Sequence, residues 1–415
     1  MRIPNEIECL YIDFDSYFAS VEKQLRPELR NRPVGVIPMD TPATGLIAAC
    51  YVAKAAGATR GTSVRDARAL CPDIALPVAR HDEYVKMHHR ILAELDRHVP
   101  VKRIWSVDEM ECTLIGRERK DGVALAHRIR KGLAHSIGPW VTPSIGLAPN
   151  QFLAKVAAEM NKPKGLVVLR PEDLPGPLFD LELTDLPGIA SAMRKRLEKA
   201  GVNSVEDLWN LSPKHARAIW NSVEGERMWA QLRGHAISRP ETTRGMFGHG
   251  RVLSPAWRTL DKARDCARLL TVKAARRMRR EGYTASTFSL SLSTRNGERW
   301  RGDLHLFPSR DDHTFLVALN TLFEEAAPSL ARAPLLKVHV MLTGITSEGE
   351  RSEDLFEHKE TRTVRARWER LTDAMDGLNA KHEKCVISIG PRAEPPGGYA
   401  GAKIAFGRVP ELEDF

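Results

Sequence analysis

Two short acidic pairs carry the strongest chemical signal in this sequence. Asp13 and Asp15 stand at alternate positions in Cys9-Leu10-Tyr11-Ile12-Asp13-Phe14-Asp15, and Asp108 and Glu109 interrupt the apolar run Ile104-Trp105-Ser106-Val107-Asp108-Glu109-Met110. Acids inside strand-like apolar runs are costly to bury unless paired or bound to a cation. Two strands that each bring a carboxylate to one point make a hard oxygen site suited to Mg²⁺. Two such ions about 4 Å apart can hold both oxygens of an in-line phosphoryl displacement. The competing reading is a structural network in which these acids pair with nearby arginines. It is the better reading for a lone Asp; two strand-embedded acidic pairs in a basic protein favour the cation site.

A second set could hold a triphosphate. Tyr51 and Lys54, in Cys50-Tyr51-Val52-Ala53-Lys54, lie near one another if the stretch is helical. Lys155 sits in Asn150-Gln151-Phe152-Leu153-Ala154-Lys155. Each lysine taken singly is equally what a solvated surface lysine looks like. A third signal is Leu186-Pro187-Gly188-Ile189-Ala190, followed by Leu197 and Gly201-Val202. It predicts a helix, a tight glycine turn and a second helix whose first amides can hold a phosphate without reading sequence. A plain helical hairpin has the same pattern.

These residues need elements to position them. In the opening strand Tyr11, Asp13 and Asp15 share one face, and Leu10, Ile12 and Phe14 the other. Ser16 is a candidate N-cap for a helix that follows. Helical patterns are predicted around 84–98, 121–137 and 149–160, and strands at 34–38, 104–115, 141–147 and 166–169. Their alternation argues for an α+β or α/β catalytic region over roughly the first 170 residues. Residues 171–235 read as helical and strand-poor, and the stretch around Ser238 to Gly245 as an exposed linker. Beyond it lies a helix–strand–helix–strand unit. Its first helix carries Leu260, Ala263, Ala267, Leu270 and Ala274 inward and ends its outer face in Arg276, Arg277, Arg279 and Arg280. Strands follow at Phe288-Leu290-Leu292 and Val338-Val340-Leu342, with a helix near 312–327 between them. The tail, 348–415, holds one predicted helix, Arg367 to His382, and a less regular Pro/Gly-rich end.

Composition bounds the function. The chain has 415 residues with 42% apolar and 28% charged content, enough for several domains and a core without staples. No apolar run approaches the about 18 residues a membrane span needs. Six cysteines without a C-x-x-C pair argue against a disulfide framework or zinc cluster and fit a reducing cytoplasm. The net charge is +9, and Arg244 to Arg310 holds fifteen Lys/Arg against five Asp/Glu. One block therefore carries the excess, as a module that touches phosphates would, although a solvated basic face has the same charge.

Taken together, these motifs resemble the Y-family (translesion) DNA polymerases, of the polymerase IV and V kind, from about residue 8 to about 345. Tyr11 to Glu22 resembles the family's first motif and Ser106-Val107-Asp108-Glu109 its acidic second one. Ser144 to Lys155, continuing to Asn161-Lys162-Pro163-Lys164-Gly165, resembles the palm motif that follows. The resemblance implies an α+β multidomain right hand: palm at 1–16 and 79–170, fingers at 17–78, and a thumb with a helix–hairpin–helix at 171–236. After a linker at 237–248 come a little finger at 249–347 and a C-terminal tail at 348–415.

The resemblance also implies roles. Asp13, Asp108 and Glu109, with the backbone carbonyl of Phe14, would bind two Mg²⁺ ions, with Mn²⁺ able to substitute; Asp15 matches the motif without being a usual ligand. Tyr51, Lys54 and Lys155 would hold the dNTP triphosphate, Tyr17 would lie under the incoming sugar and base, and Phe18 would be the steric gate against a ribose 2′-OH. Primer–template DNA would be gripped at Gly188 and Ala190 and by Arg251, Arg295, Arg299 and Arg301. Ser352-Glu353-Asp354-Leu355-Phe356 resembles the peptide by which bacterial polymerases dock on the sliding clamp, with Ser in place of the usual Gln. The expected setting is a monomer on the bacterial nucleoid in the cytoplasm, away from membranes.

Some positions depart from the family pattern. Lys54 stands for the usual Arg and loses its bidentate fork. Ala48 replaces a frequent hydroxyl residue, Met110-Glu111 a small-then-aromatic pair, Gln151 a common lysine and Ala190 the second glycine of the hairpin. None removes a metal ligand, so nucleotide affinity is touched more than chemistry. The implied function is template-directed, low-fidelity DNA synthesis. The rivals are an inactive relative serving as a DNA- and clamp-binding scaffold, and a DNA-binding protein without nucleotide chemistry.

Overall fold

A computed structural model describes residues 2–42, 44–238, 243–330, 334–351, 359–382, 385–390 and 409. They fall into two compact units that divide near residue 240. In chain order the first unit comprises β1 (Cys9–Phe14), α1 (Tyr17–Leu25), β2 (Gly35–Val36), β3 (Ala48–Ala49), α2 (Tyr51–Ala55), α3 (Val64–Leu70) and α4 (His81–Leu95). It continues with β4 (Val101–Ile104), β5 (Glu109–Thr113), α5 (Gly122–Ser136), β6 (Pro143–Ala148), α6 (Gln151–Met160) and β7 (Leu166–Val168). Four helices close it: α7 (Ser191–Lys199), α8 (Val205–Asn210), α9 (Pro213–Trp220) and α10 (Val223–Leu232).

The main sheet has the order β4-β5-β1-β6-β7, with β1 central and antiparallel to both β5 and β6. Every residue of β1 is buried, because helices cover both faces of the sheet. Leu10, Ile12 and Phe14 pack with Tyr84 and Ile91 of α4 and Leu125 of α5. Tyr11 packs on the other face with Phe152 and Val156 of α6. Gly146 of β6 lets α6 lie directly on the sheet. A Cβ there would meet the Ala154 carbonyl oxygen at 1.9 Å, so only glycine permits this approach. That contact sets the height at which α6 holds Lys155 and Glu159 above β1.

The single strand expected over 104–115 is a hairpin of β4 and β5. Trp105 to Asp108 turn between them, with the Trp105 N–H donating to the Glu109 carbonyl at 2.9 Å. Asp108 therefore sits in the turn, outside a strand, and Glu109 opens β5. The reason is local: the Ser106 hydroxyl donates to the Asp108 carboxylate at 2.5 Å, and such short polar side chains compete with strand pairing. Ser16 does occupy the N-cap of α1, but in a left-handed conformation (φ 47°) and without capping the helix. The expected first helix of the hairpin motif is a three-residue 3₁₀ turn, Leu183–Asp185, before Gly188 at φ 93°. Asp185 caps that turn through the Glu182 amide at 3.0 Å, and Pro187, which lacks an amide donor, follows closely.

The second unit comprises β8 (Phe247–Val252), α11 (Leu260–Arg280), β9 (Tyr283–Thr294), β10 (Arg299–Ser309), α12 (Asp312–Leu330), β11 (Leu335–Ser347) and α13 (Lys359–Lys381). Its antiparallel sheet runs β10-β9-β11-β8, with α11 and α12 packed on one face. Two strands are added to the expected helix–strand–helix–strand pattern. Glycines mask β8, and β10 alternates charged and apolar residues because one of its faces is open. The tail helix begins at Lys359, earlier than expected, and docks on this unit. The Arg279 guanidinium lies 2.7 Å from both Asp312 and Asp376, and Arg310 binds Asp373 at 2.5 Å. Arg279 is thus buried under α13 and does not belong to an outer basic face. Part of the positive surplus in this block holds a helix and is unavailable to phosphate.

Register sorts the remaining arginines. Arg299 and Arg301 of β10 stand opposite Ser293 and Ser291 on the face away from the core, beside exposed Asp303 and His305. Arg295 lies exposed in the β9–β10 turn. Arg251 pairs with Val338, whose side chain enters the core, so it stands on the helical side of the sheet, away from the face that carries Arg299 and Arg301. Its charge acts on the buried Cys266 thiol of α11.

Candidate active site

The backbone brings the two acidic pairs together. Asp13 lies opposite Glu109 in the β1–β5 register, and the Phe14 N–H donates to the Asp108 carbonyl at 3.0 Å. Oxygens of Asp13, Glu109 and Glu159 all lie within 4.8 Å of one another. Asp108 borders this cluster: its charge raises the proton affinity of Asp13 and it feels the charge of Glu109. Burial is the main cause that pushes both Asp13 and Asp108 above the usual carboxylate range, with Lys162 opposing it. Desolvated carboxylates held this close repel unless a cation joins them. An all-oxygen set of carboxylates is the donor chemistry of Mg²⁺ or Mn²⁺, so the residues present fit the implied ions.

The cations recorded at the cluster are lysines. Lys162 Nζ lies 2.5 Å from Asp13 Oδ1 and 2.7 Å from Glu159 Oε1, and Lys155 pairs with Glu109. Glu159 and Lys162 escaped the sequence reading. Their signal was partial, since Lys155 and Glu159 stand at i and i+4 on α6, whereas Lys162 lies beyond the helix end at Met160, in the loop that follows. By contrast, Glu111 is engaged structurally: it accepts from Lys102 at 2.7 Å and from the Trp105 indole at 3.0 Å.

Two buried groups hold the site from behind. Asp15, 2% exposed, accepts from the Thr142 hydroxyl at 3.0 Å, the Ser144 hydroxyl at 2.7 Å and the Lys164 amide at 2.9 Å. It thereby ties the 161–165 loop, and Lys162 with it, to β1 and β6. Asp15→Ala leaves three donors without that acceptor, each costing about 1–3 kcal/mol. We expect about 3 kcal/mol of lost stability in denaturant unfolding; a loss below about 1 kcal/mol would show the loop is held otherwise. His88 of α4 contacts the Val107 carbonyl through Nδ1 at 2.8 Å, next to Asp108. Burial pulls its pKa down to about 4. The ring is therefore neutral near pH 7, and Nδ1 carries the proton because a carbonyl can only accept.

The nucleotide residues divide. On α2, Lys54 Nζ lies 4.3 Å over the Tyr51 ring. Burial lowers its pKa, and the next cause is the charge of Lys162. Lys155 pairs with Glu109 and lies 5.6 Å from the Tyr11 ring centroid, and the charge of Lys162 reaches both Tyr51 and Lys54. Phe18 is half-buried and stacks on Tyr84 at 4.5 Å and 15°. Tyr17 is 2% exposed and its hydroxyl donates to the Tyr84 carbonyl at 2.7 Å. It offers no surface for a sugar or base and instead backs the Phe18–Tyr84 pair.

Farther along the first unit, Ala190 is the N-cap of α7 and supplies no side-chain cap, so the first amides of that helix are open. Ser352, Asp354, Leu355 and Phe356 lie outside the described residues.

Residues 12–159 match the impB/mucB/samB family, and residues 245–355 match its C-terminal domain. The DNA polymerase IV of Moorella thermoacetica is 31% identical over 395 residues, 93% of this chain and 96% of that one. The DNA polymerase IV of Saccharolobus solfataricus is 27% identical over 258 residues, 61% of this chain and 72% of that one. Among solved structures, a Y-family DNA polymerase chimera superposes with a TM-score of 0.68 at 21% identity, covering 82% of this chain and 99% of that one. An insertion ternary complex of Dbh DNA polymerase superposes with a TM-score of 0.56 at 20% identity over the same shares.

Proposed function

The chain belongs to the Y family of translesion DNA polymerases, and on that premise we propose how its own residues carry out the family's reaction. It is a DNA-directed DNA polymerase that adds a dNTP to a primer 3′-OH. The bond formed joins the primer O3′ to the α-phosphorus, the bond broken releases pyrophosphate, and the hydroxyl proton leaves to solvent. Asp13, Asp108 and Glu109, with the Phe14 carbonyl, are proposed to hold two Mg²⁺ ions. Bound there, the ions supply an activated primer oxygen and neutralise the leaving pyrophosphate.

Tyr51, Lys54 and Lys155, with Lys162 nearby, receive the triphosphate, and Phe18 bounds the sugar. The first amides of α7, just after the Gly188–Ala190 turn, and the outer face of the second unit, with Arg295, Arg299 and Arg301, grip the DNA backbone. Arg251, half-exposed on the helical side of that sheet, adds its charge from there. Grip of this kind is sensitive to salt and largely blind to sequence. On this reading the regions that the resemblance names palm, fingers, thumb and little finger are the parts of a monomeric enzyme working in the cytoplasm. The Ser352–Phe356 peptide is its contact with a sliding clamp.

The observation that carries the reading is the convergence of Asp13, Glu109 and Glu159 oxygens beside Asp108. The test is extension of a primed template with Mg²⁺ and all four dNTPs. Incorporation opposite an undamaged template, and past an abasic position, is expected. No incorporation with either Mg²⁺ or Mn²⁺, at unchanged DNA affinity, would leave a scaffold.

A further inference from the structure

Lys162 is shared between two carboxylates of different character. Asp13 is buried, with 8% of its side chain exposed, whereas Glu159 keeps 43% of its side chain in solvent. The same ammonium lies 2.5 Å from one and 2.7 Å from the other. A divalent cation binding Asp13 must displace a cation that already neutralises it, because two positive groups cannot both sit on one buried carboxylate without strong repulsion. The backbone that carries Lys162 is itself fixed: its neighbour Lys164 donates to Asp15, and a Cβ at Gly165 would meet the Asn161 carbonyl at 2.1 Å. Only the side chain is free to turn.

We propose that Glu159 is a positioning residue that keeps hold of Lys162 when the lysine yields Asp13, so that the ammonium pivots toward the mouth of the site and does not leave it. Half-buried Tyr51 and exposed Lys54 stand close enough to feel the charges of both Glu159 and Lys162. The pivot thus delivers Lys162 to the side where the triphosphate arrives. Glu159 lowers the barrier to metal entry by competing for the lysine, and sets nucleotide affinity by where it leaves the lysine. This inference rests on the cation-site reading above.

Removing the competitor strengthens the Lys162–Asp13 pair, so the effect on metal binding must run through Lys162. The test is a double-mutant cycle on the full chain, with Mn²⁺ as the probe, no DNA or nucleotide present, and free ion counted by electron paramagnetic resonance. Glu159→Gln should weaken Mn²⁺ binding by about tenfold, and Lys162→Gln should tighten it. In the Lys162→Gln background, Glu159→Gln should have an effect of less than about threefold. With DNA present, Glu159→Gln should also raise the dNTP KM more than it lowers kcat. An equal loss in both backgrounds would make Glu159 a ligand or a bare charge, and no loss in either would make it an ordinary surface acid; either result overturns the proposal. Absence of Mn²⁺ binding by the unaltered chain would instead overturn the cation-site reading itself.

Discussion

Asp108→Ala should reduce primer extension by a thousandfold or more and leave DNA affinity within about twofold. The carboxylate projects from the Trp105–Asp108 turn, where its hydrogen-bonding side-chain partner is the Ser106 hydroxyl. The contact that holds this turn against β1 is the Phe14 N–H to the Asp108 backbone carbonyl, and alanine keeps it. The β4–β5 hairpin pairs through residues on either side of the turn, so the substitution removes a charge from the site without dismantling the element that carried it. Loss of one ligand from a cation that stabilises the transition state by several kcal/mol accounts for the size of the effect, since each 1.4 kcal/mol is about tenfold in rate. DNA affinity, by contrast, is assigned to phosphate contacts at α7 and on the outer face of the second unit, far along the chain from residue 108. Steady-state extension and an anisotropy titration of labelled primer–template, run side by side, separate the two. Extension within tenfold of the unaltered enzyme would mean that the acids have been assigned the wrong work.

The two acidic pairs could be read from sequence because burying a carboxylate needs a reason, and apolar neighbours advertise the burial. Asp13 stands among Ile12 and Phe14, Asp108 beside Val107 and Met110, and the sheet does bring them together. The β1 alternation survived for a similar reason: its two faces enter two different clusters, so each side chain had its own selective environment. What escaped were features decided by partners remote in sequence. Lys155 rides on α6 and Lys162 stands in the loop beyond its end, and only the folded placement of the two shows that the first faces Glu109 and the second Asp13. Arg279 looks like a surface arginine until Asp376, 97 residues later, folds over it. Arg251 needed its register against Val338 before its direction could be known. Charge counted along a chain gives a block's sum; which of those charges face water is settled by the helices that dock on it.

The second large effect concerns sugar choice. Phe18→Ala should raise the ratio of ribonucleotide to deoxyribonucleotide incorporation by about 10–100-fold, the range that one lost steric contact supplies. The ring is well placed to act as a wall because it is held on three sides. It stacks flat on Tyr84 at 4.5 Å, meets His81 edge-on at 5.9 Å and lies 5.9 Å from Tyr17. Tyr17 is in turn fixed by its bond to the Tyr84 carbonyl. An aromatic ring fixed in this way cannot swing aside to admit a 2′-hydroxyl, and a deoxyribose meets no penalty against it. Phe18→Tyr keeps the wall and should leave the ratio within about twofold, whereas Tyr84→Leu removes the stacking partner and should loosen the gate to an intermediate degree. The ratio is read as kcat/KM for one base offered as rNTP and as dNTP on the same template. Thermal unfolding of each variant tells a widened gate from a weakened fold. If Phe18→Ala lowered both rates equally and left their ratio unchanged, Phe18 would be a packing residue of the Tyr84 cluster, and the sugar would have to be judged by another group.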